Sequence, residues 1–216
     1  MVRWFVLLLS IAVAGCAGRG MVARQTKDLA VKPDEALIII MRARYVYSGV
    51  PGAPPAPGSA ARPNYDPAAG LPRSVSLYDV TDEEIRFIGI IREGQRVAVS
   101  VKPGKTRLML YSRSTDFLEA NVAAGKTYYA RIGADQEALG AARHAFIAMR
   151  ASEIASAEFK EWDSGTTLVT RTERAEAWAE RGAGSIAQKR TVGWQEWTGM
   201  PEAARKSRTL EVADGR

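Results

Sequence analysis

The sequence predicts a mainly β protein with α: a small antiparallel β-sandwich of about seven short strands, followed by a C-terminal helical extension. Between residues 74 and 133, short segments of alternating apolar residues follow one another closely, and Glu93-Gly94, Pro103-Gly104 and Ala124-Gly125 separate them. Short strands bounded by such turn residues are typical of β-sandwiches. Beyond residue 150 the composition shifts to helix formers such as Ala, Glu and Arg, which predicts the extension.

The first segment of the chain predicts export. Residues 1–15 are expected to form a signal peptide, because Arg3 precedes an apolar run over residues 4–15. As a helix this run would rise about 18 Å, too short for the roughly 30 Å hydrocarbon core of a bilayer. Val13-Ala14-Gly15 leads directly into Cys16, which is the only Cys, and this pattern resembles the lipobox of bacterial lipoproteins. That resemblance implies that Cys16 becomes the first mature residue and carries lipid.

Acyl chains on Cys16 would hold the protein to a membrane of the bacterial cell envelope. The second mature position holds Ala17 and not Asp, which for lipoproteins implies the outer membrane, facing the periplasm, in a host with two membranes. The chain has 30 Lys and Arg against 24 Asp and Glu, and the excess lies before residue 136. Such a surface would be drawn to an anionic leaflet. Nucleic acid is not an expected partner, because the leader exports the chain and no basic-aromatic recognition motif is present.

The mature chain divides into three parts. Residues 16–33 are polar and of mixed charge, and they predict a tether with a reach of roughly 20 to 25 Å. Residues 34–150 predict the β-sandwich domain, and its first strand, at residues 36–47, is expected to be central because it begins with three consecutive Ile. An insertion at about residues 48–73 holds seven of the ten prolines, which excludes long strands or helices there. It is either a disordered insertion or a proline-rich ligand for a partner.

Two hairpin patterns carry a family resemblance. The first hairpin pattern is Val101-Lys102-Pro103-Gly104-Lys105-Thr106-Arg107-Leu108. The second is Val122-Ala123-Ala124-Gly125-Lys126-Thr127-Tyr128-Tyr129, with the following Ala-Arg-Ile-Gly. Together they resemble the domain of unknown function numbered 2846, found in bacterial lipoproteins and other exported proteins. The resemblance covers about residues 36–133 and implies a small β-sandwich, with no catalytic signature.

Residues 144–150 predict a last strand, and residues 151–216 predict the helical extension. Ser152 and Thr172 each precede a run of helix formers and are suitable capping residues, and Gly165 and Gly182 are expected to end the two helices. Pro201 suits the first position of a short third helix.

The four tryptophans that remain after leader removal all lie in this extension: Trp162, Trp178, Trp194 and Trp197. Each indole can bury about 150 Å² or more, so the first interpretation is that they fix the extension onto the sandwich. The second is that they present an aromatic interaction surface to an envelope partner or to the membrane interface.

Few residues predict chemistry. His144 is the only His, and no nucleophile elbow surrounds a serine, so a catalytic role is not expected and the residue is predicted at a strand edge or on the surface. Asp79, Asp82, Glu83 and Glu84 lack the spacing of a calcium loop and predict a solvated turn. One Cys and one His exclude an intrachain disulfide and a Cys/His zinc site. No cofactor and no metal are therefore expected.

The sequence predicts a lipid-anchored envelope lipoprotein that acts as a non-enzymatic interaction or structural module. Its expected partners are the membrane, through lipid on Cys16, and an envelope protein, while the oligomeric state is open. The alternative is a lipid- or glycan-binding envelope module. A closed apolar pocket would favour the ligand binder, whereas an exposed apolar patch would favour the interaction module.

Overall fold

The computed structural model describes residues 20–24, 29–43, 71–136 and 142–216. These residues form a mainly β fold with eleven strands in two mixed sheets. The predicted class is confirmed, but the strand number of about seven is wrong, and so is the purely antiparallel arrangement, since three strand pairs are parallel. Cys16 and nearly all of the proline-rich insertion lie outside the described residues.

The strands are β1 (Met21–Ala23), β2 (Ala36–Arg42), β3 (Ser74–Asp79), β4 (Arg86–Arg92), β5 (Gln95–Val101), β6 (Gly104–Tyr111), β7 (Thr115–Val122), β8 (Thr127–Gln136), β9 (Ala142–Ala148), β10 (Thr167–Arg171) and β11 (Thr209–Leu210). The helices are α1 (Ala157–Gly165), α2 (Glu173–Thr198) and α3 (Glu202–Lys206). The six-stranded sheet has the order β1-β10-β5-β2-β8-β9, and the five-stranded sheet has the order β11-β7-β6-β3-β4. Among the described helices, none is both long and apolar enough to cross a bilayer.

The main core lies between the two sheets. β2 sends Ile38 and Ile40 inward, and β6 sends Leu108 and Leu110 inward from the opposite sheet, each with 0% of its surface exposed. This is the alternation expected of two sheets packed face to face. All seven residues of β2 are buried, as the sequence predicts for a central strand covered on both sides.

Helices cover the outer faces of both sheets. α1 places Phe159 against Tyr129 of the six-stranded sheet, with the ring centroids 4.9 Å apart. α2 covers the five-stranded sheet with Ile186 and Trp197, which pack with Met109. The molecule therefore has four layers: α1, two sheets and α2.

The three predicted turns carry the chain from one sheet to the other. Gly94, Gly104 and Gly125 have φ angles of 74°, 110° and 71°, and they stand at the β4–β5, β5–β6 and β7–β8 connections. Residues with a side chain rarely adopt these angles, so glycine is required where the chain changes sheet. The turn signals in the sequence are thus confirmed, and each marks a crossing between layers.

The two ends of the described fold differ from the prediction. β1 lies inside the predicted tether of residues 16–33, and Met21 is only 4% exposed. β10 and β11 lie inside the predicted helical extension and each joins a sheet edge. These three strands are two to five residues long. Strands this short are not stable alone. They form because a sheet edge that is remote in sequence presents unpaired backbone N–H and C=O groups with which they can pair.

Two helices also differ from the prediction. α1 begins after Ser156, whose hydroxyl accepts a hydrogen bond from the Phe159 N–H, and not after Ser152. Thr172 caps α2 as predicted, but this helix continues through Gly182 to Thr198. A glycine costs about 1 kcal/mol inside a helix. Burial of Ile186 and Trp197 against the sheet outweighs that cost. Pro201 precedes α3, which confirms the predicted short helix.

Candidate functional site

A groove of about 570 Å³ lies on the outer face of the five-stranded sheet, beside the N-terminal half of α2. We call it the arginine groove, after Arg92, Arg174 and Arg181. Its other lining residues are Gly20, Met21, Pro72, Ser74, Ser76, Ile90, Gln95, Tyr111, Ser112, Ala175 and Trp178. Its volume is within the range of small-molecule sites.

The groove exists because small residues occupy one end of the outer sheet face. On β3, Tyr78 packs under the C-terminal half of α2, whereas Ser74 and Ser76 fall nearer the other end and fill little space. The Ser76 hydroxyl donates a hydrogen bond of 3.2 Å to the Tyr111 carbonyl. The sheet floor is therefore satisfied internally, while the space between it and Trp178 stays open.

The charge of the groove is entirely positive among the described residues. Arg174 and Arg181 lie on α2, Arg92 lies at the end of β4, and no described Asp or Glu lines the groove. Within the described part of the chain, none of these three guanidinium groups forms an ion pair or a hydrogen bond. The acidic residues of α2 lie on another side of the helix, where Glu176 pairs with Arg171 at 2.6 Å. Three unpaired cations facing one space favour an anionic ligand.

A buried chain of hydrogen bonds ends in the groove. Arg42 donates to Nε2 of His144 at 3.0 Å, and Nδ1 of His144 lies 3.0 Å from the Ser112 hydroxyl. A guanidinium can only donate, so Nε2 must be the accepting nitrogen and Nδ1 must carry the proton. Ser112 therefore receives the Nδ1–H and keeps its own O–H to donate. The Ser112 hydroxyl therefore gives the groove a neutral hydrogen-bond donor in addition to the three guanidinium groups.

This polarity is the reverse of an activated serine. A catalytic base must accept the hydroxyl proton, whereas His144 donates to Ser112. His144 is 3% exposed on the edge strand β9, so the predicted strand-edge position is confirmed and a surface position is wrong. Burial, and secondarily the positive charge of Arg42, lower the pKa of His144 to about 4. The imidazole is neutral near pH 7.

A second buried polar cluster lies close by, at the start of β7. Asp116 has 0% of its surface exposed, and its Oδ2 accepts hydrogen bonds from the Phe146 N–H at 2.7 Å and from Arg208 at 3.1 Å. Arg208 also donates to Asp135 at 2.5 Å. Burial raises the pKa of Asp116 to about 6, although the charge of Arg208 opposes the shift. This cluster joins residues after β10 to the edges of both sheets.

The structure separates the four predicted tryptophans. Trp194 and Trp197 stack with centroids 5.0 Å apart against Phe117, which fixes the end of α2 to the sheet. Trp162 packs on the opposite side of the molecule, on α1. Trp178 is 44% exposed and lines the arginine groove. Trp194 also lines a groove, of about 830 Å³, beside Arg107 and Asp82. Trp178 is therefore the most exposed of the four tryptophans and, with Trp194, one of two that line a groove in the described part of the chain.

The acidic turn forms no metal-binding group within the described residues, although Asp82, Glu83 and Glu84 line the groove that Trp194 also lines. Asp79 is buried and pairs with Arg86 at 2.6 Å, whereas Asp82, Glu83 and Glu84 are exposed between β3 and β4. The described residues contain no group of three side chains suited to holding a metal ion. The prediction of a solvated turn is confirmed for the three exposed residues.

Only part of the groove had a signal in the sequence. Arg174, Trp178 and Arg181 follow the i, i+4, i+7 spacing of one helix face, so a helical projection of residues 173–198 would have grouped them. Arg92 and Ser112 come from the five-stranded sheet and its β6–β7 connection. Arg92 and Ser112 lie near α2 only because of how the helix packs across the sheet, and the local sequence does not predict that packing.

Neither a known protein-family model nor a curated protein matches the chain. The resemblance to the domain of unknown function numbered 2846 therefore stays a prediction.

Proposed function

We propose that this protein is a lipid-anchored module of the bacterial envelope that binds an anionic ligand in the arginine groove without transforming it. The observation that carries the proposal is the convergence of Arg92, Arg174 and Arg181 on one space, unpaired within the described chain. Anchoring follows from the lipobox-like sequence before Cys16. The groove is open and cationic, so it is not the closed apolar pocket expected of the ligand binder; the converging guanidinium groups are what supports ligand binding over the other function that the sequence left open.

The lining groups match an oxyanion. Each guanidinium offers several N–H donors, and the Ser112 hydroxyl adds one more. Gln95 accepts a hydrogen bond from the Arg92 backbone N–H through Oε1 at 2.9 Å, so its amide N–H groups remain to donate. Carboxylate and phosphate oxygens accept such bonds. Trp178 and Tyr111 give the groove an apolar edge for the uncharged part of a ligand.

The affinity for a small free anion should be modest. Exposed ion pairs contribute up to about 1 kcal/mol each. The hydrogen bond from Ser112 adds about 1 kcal/mol. Three such pairs and this bond give at most about 4 kcal/mol, and the loss of translational and rotational freedom on association opposes binding, so we expect a Kd on the order of 1 mM or weaker. High salt should weaken binding further, because the guanidinium groups are exposed.

An envelope protein partner has less support. That interpretation needs an extended exposed aromatic surface, yet Trp178 is the one tryptophan of the four that is largely exposed, at 44%, while Trp197 is 2% exposed and stacks with Trp194 in the helix contact. Catalysis also has less support, since the proton on Nδ1 of His144 leaves Ser112 without a base.

The test is a titration of the mature lipoprotein, purified in a neutral detergent, with glycerol 3-phosphate. Trp178 fluorescence is the readout, and a Trp178→Phe variant supplies the signal of the other tryptophans. The Arg174→Gln/Arg181→Gln double variant should weaken binding at least tenfold. The matched control is Lys160→Gln/Lys206→Gln, which removes the same charge from exposed positions outside the groove. Equal binding by the two double variants would refute the proposal.

A further inference from the structure

We infer that the anionic ligand is the phosphate group of a membrane lipid headgroup, bound while the protein is anchored to the same membrane. This inference rests on the proposed function, since it names the ligand of the arginine groove and relies on lipid at Cys16.

The polypeptide enters the fold at the groove itself. Gly20 lines the groove and stands four residues after Cys16 in the sequence. A fully extended chain spans at most about 3.6 Å per residue, so these two residues are within about 14 Å of each other. The polar region of each leaflet is about 5 to 8 Å thick. A lipid anchor at Cys16 would therefore hold Gly20, at the end of the groove, within about 14 Å of the lipidated residue, a distance from which the groove can reach the headgroups.

The entry point is fixed by contacts and not by chance proximity. The carbonyl of Gly20 accepts a hydrogen bond of 3.2 Å from the hydroxyl of Thr172, the residue that caps α2. Met21 pairs with Arg171 in the sheet and is buried. The anchored end of the chain is thus attached to the first turn of the helix that carries Arg174 and Trp178.

Trp178 has the surroundings of a tryptophan at a membrane interface, with an apolar contact on one side and solvent on the other. Its ring packs on one side against Phe87, with centroids 6.2 Å apart, while 44% of its surface remains exposed. Tryptophan is enriched at the level of lipid headgroups, where its ring meets both apolar and polar surroundings. Among the described lining residues, Trp178 thus gives the groove an exposed apolar surface beside the guanidinium groups of Arg174 and Arg181.

Anchoring removes the need for high affinity. A binding group held by a short linker meets its ligand at an effective concentration in the millimolar range or above. Headgroups in an anionic leaflet are also attracted by juxtamembrane cations. A site is half occupied when the ligand concentration equals its Kd, so a groove with a Kd of about 1 mM would be occupied about half of the time or more at an anionic bilayer.

The experiment places the lipidated protein in nanodiscs of phosphatidylglycerol or of phosphatidylcholine, with no soluble ligand. The Trp178 emission, taken as the difference from the Trp178→Phe variant, should lie at shorter wavelength in phosphatidylglycerol. Arg174→Gln/Arg181→Gln should abolish the difference between the two lipids, and Lys160→Gln/Lys206→Gln should keep it. Saturating glycerol 3-phosphate should reverse the shift by competition.

Failure of the inference can be told from failure of the proposed function. If glycerol 3-phosphate binds in detergent but Trp178 emission is the same in both lipids, the ligand is a soluble phosphate ester and the lipid assignment is overturned. If neither the titration nor the nanodiscs reveal a difference between the two double variants, both proposals are overturned. A lipid-dependent shift that survives in Arg174→Gln/Arg181→Gln would place lipid contact elsewhere and also overturn the inference.

Discussion

Two buried titratable groups should make the pH dependence of stability nearly flat between pH 4 and 6, and single substitutions should expose their opposing effects. His144 and Asp116 are 3% and 0% exposed. Arg42 contacts His144, and Glu93 lies 3.9 Å from Arg42. Arg208 contacts Asp116 and also pairs with Asp135. The perturbations are His144→Gln and Asp116→Asn, which remove one titration each and preserve a hydrogen-bonding side chain.

His144 stabilises the fold at higher pH. Its pKa is about 4 in the folded protein, against an ordinary value of 6.5, so the unfolded chain binds the proton more tightly. The free energy of unfolding therefore rises with pH between about 4 and 6.5. The stability that His144 contributes is fully present above pH 6.5 and disappears as the pH falls to about 4. About 2.5 pH units at 1.36 kcal/mol each give about 3 kcal/mol.

Asp116 acts in the opposite sense. Its pKa is about 6 in the folded protein and 3.8 ordinarily, so the folded chain binds the proton more tightly. Its contribution is fully present below pH 3.8 and is lost as pH rises to about 6. About 2 units again give about 3 kcal/mol, so the two contributions nearly cancel between pH 4 and 6.

The assay is urea unfolding at pH 4, 5, 6 and 7 and constant ionic strength, followed by tryptophan fluorescence. His144→Gln should lose about 2 kcal/mol of unfolding free energy between pH 4 and 6, because only the Asp116 contribution remains. Asp116→Asn should gain about 2 kcal/mol over the same range. Curves for both variants that run parallel to the unsubstituted protein would show that these groups do not have the shifted pKa values, and the reasoning would be refuted.

Three further predictions concern packing. Gly193→Ala should lower the urea midpoint, with a loss of about 1 to 3 kcal/mol, because the added methyl group would collide with the Thr115 side chain. Trp197→Ala should cost about 3 to 5 kcal/mol of unfolding free energy, whereas Trp178→Ala, at an exposed position, should change thermal stability little. Deleting Arg216 removes two backbone hydrogen bonds to Thr127, of 2.8 and 3.1 Å, and should speed amide hydrogen exchange there.

The central strands could be predicted from the sequence because each has its own signal. The run of three Ile in β2 and the glycine turns at Gly94 and Gly104 are local features with local physical causes. β10 could not be found in this way, since Leu168 and Val169 are its only buried residues and helices flank it on both sides. Its existence depends on pairing with β5 and β1, which are remote in sequence.

The candidate site also combines features that the local sequence predicts with features that depend on tertiary packing. The helix face with Arg174 and Arg181 is a periodic signal, but the absence of described acidic residues from the groove depends on which sheet edge the helix crosses. Similarly, nothing around His144 in the sequence indicates that Arg42 lies 3.0 Å from its ring. That contact joins β2 and β9, which are separated by β8 in the six-stranded sheet.

Several segments that complete the sheet edges lie near the C-terminal end of the sequence, so folding cannot finish until they are available. β1 pairs with β10, β11 pairs with β7, and the backbone of Arg216 bonds to that of Thr127. Loop-closure entropy disfavours such remote pairings until the intervening residues are in place. A nascent chain thus keeps these sheet edges open until its final segments have left the ribosome.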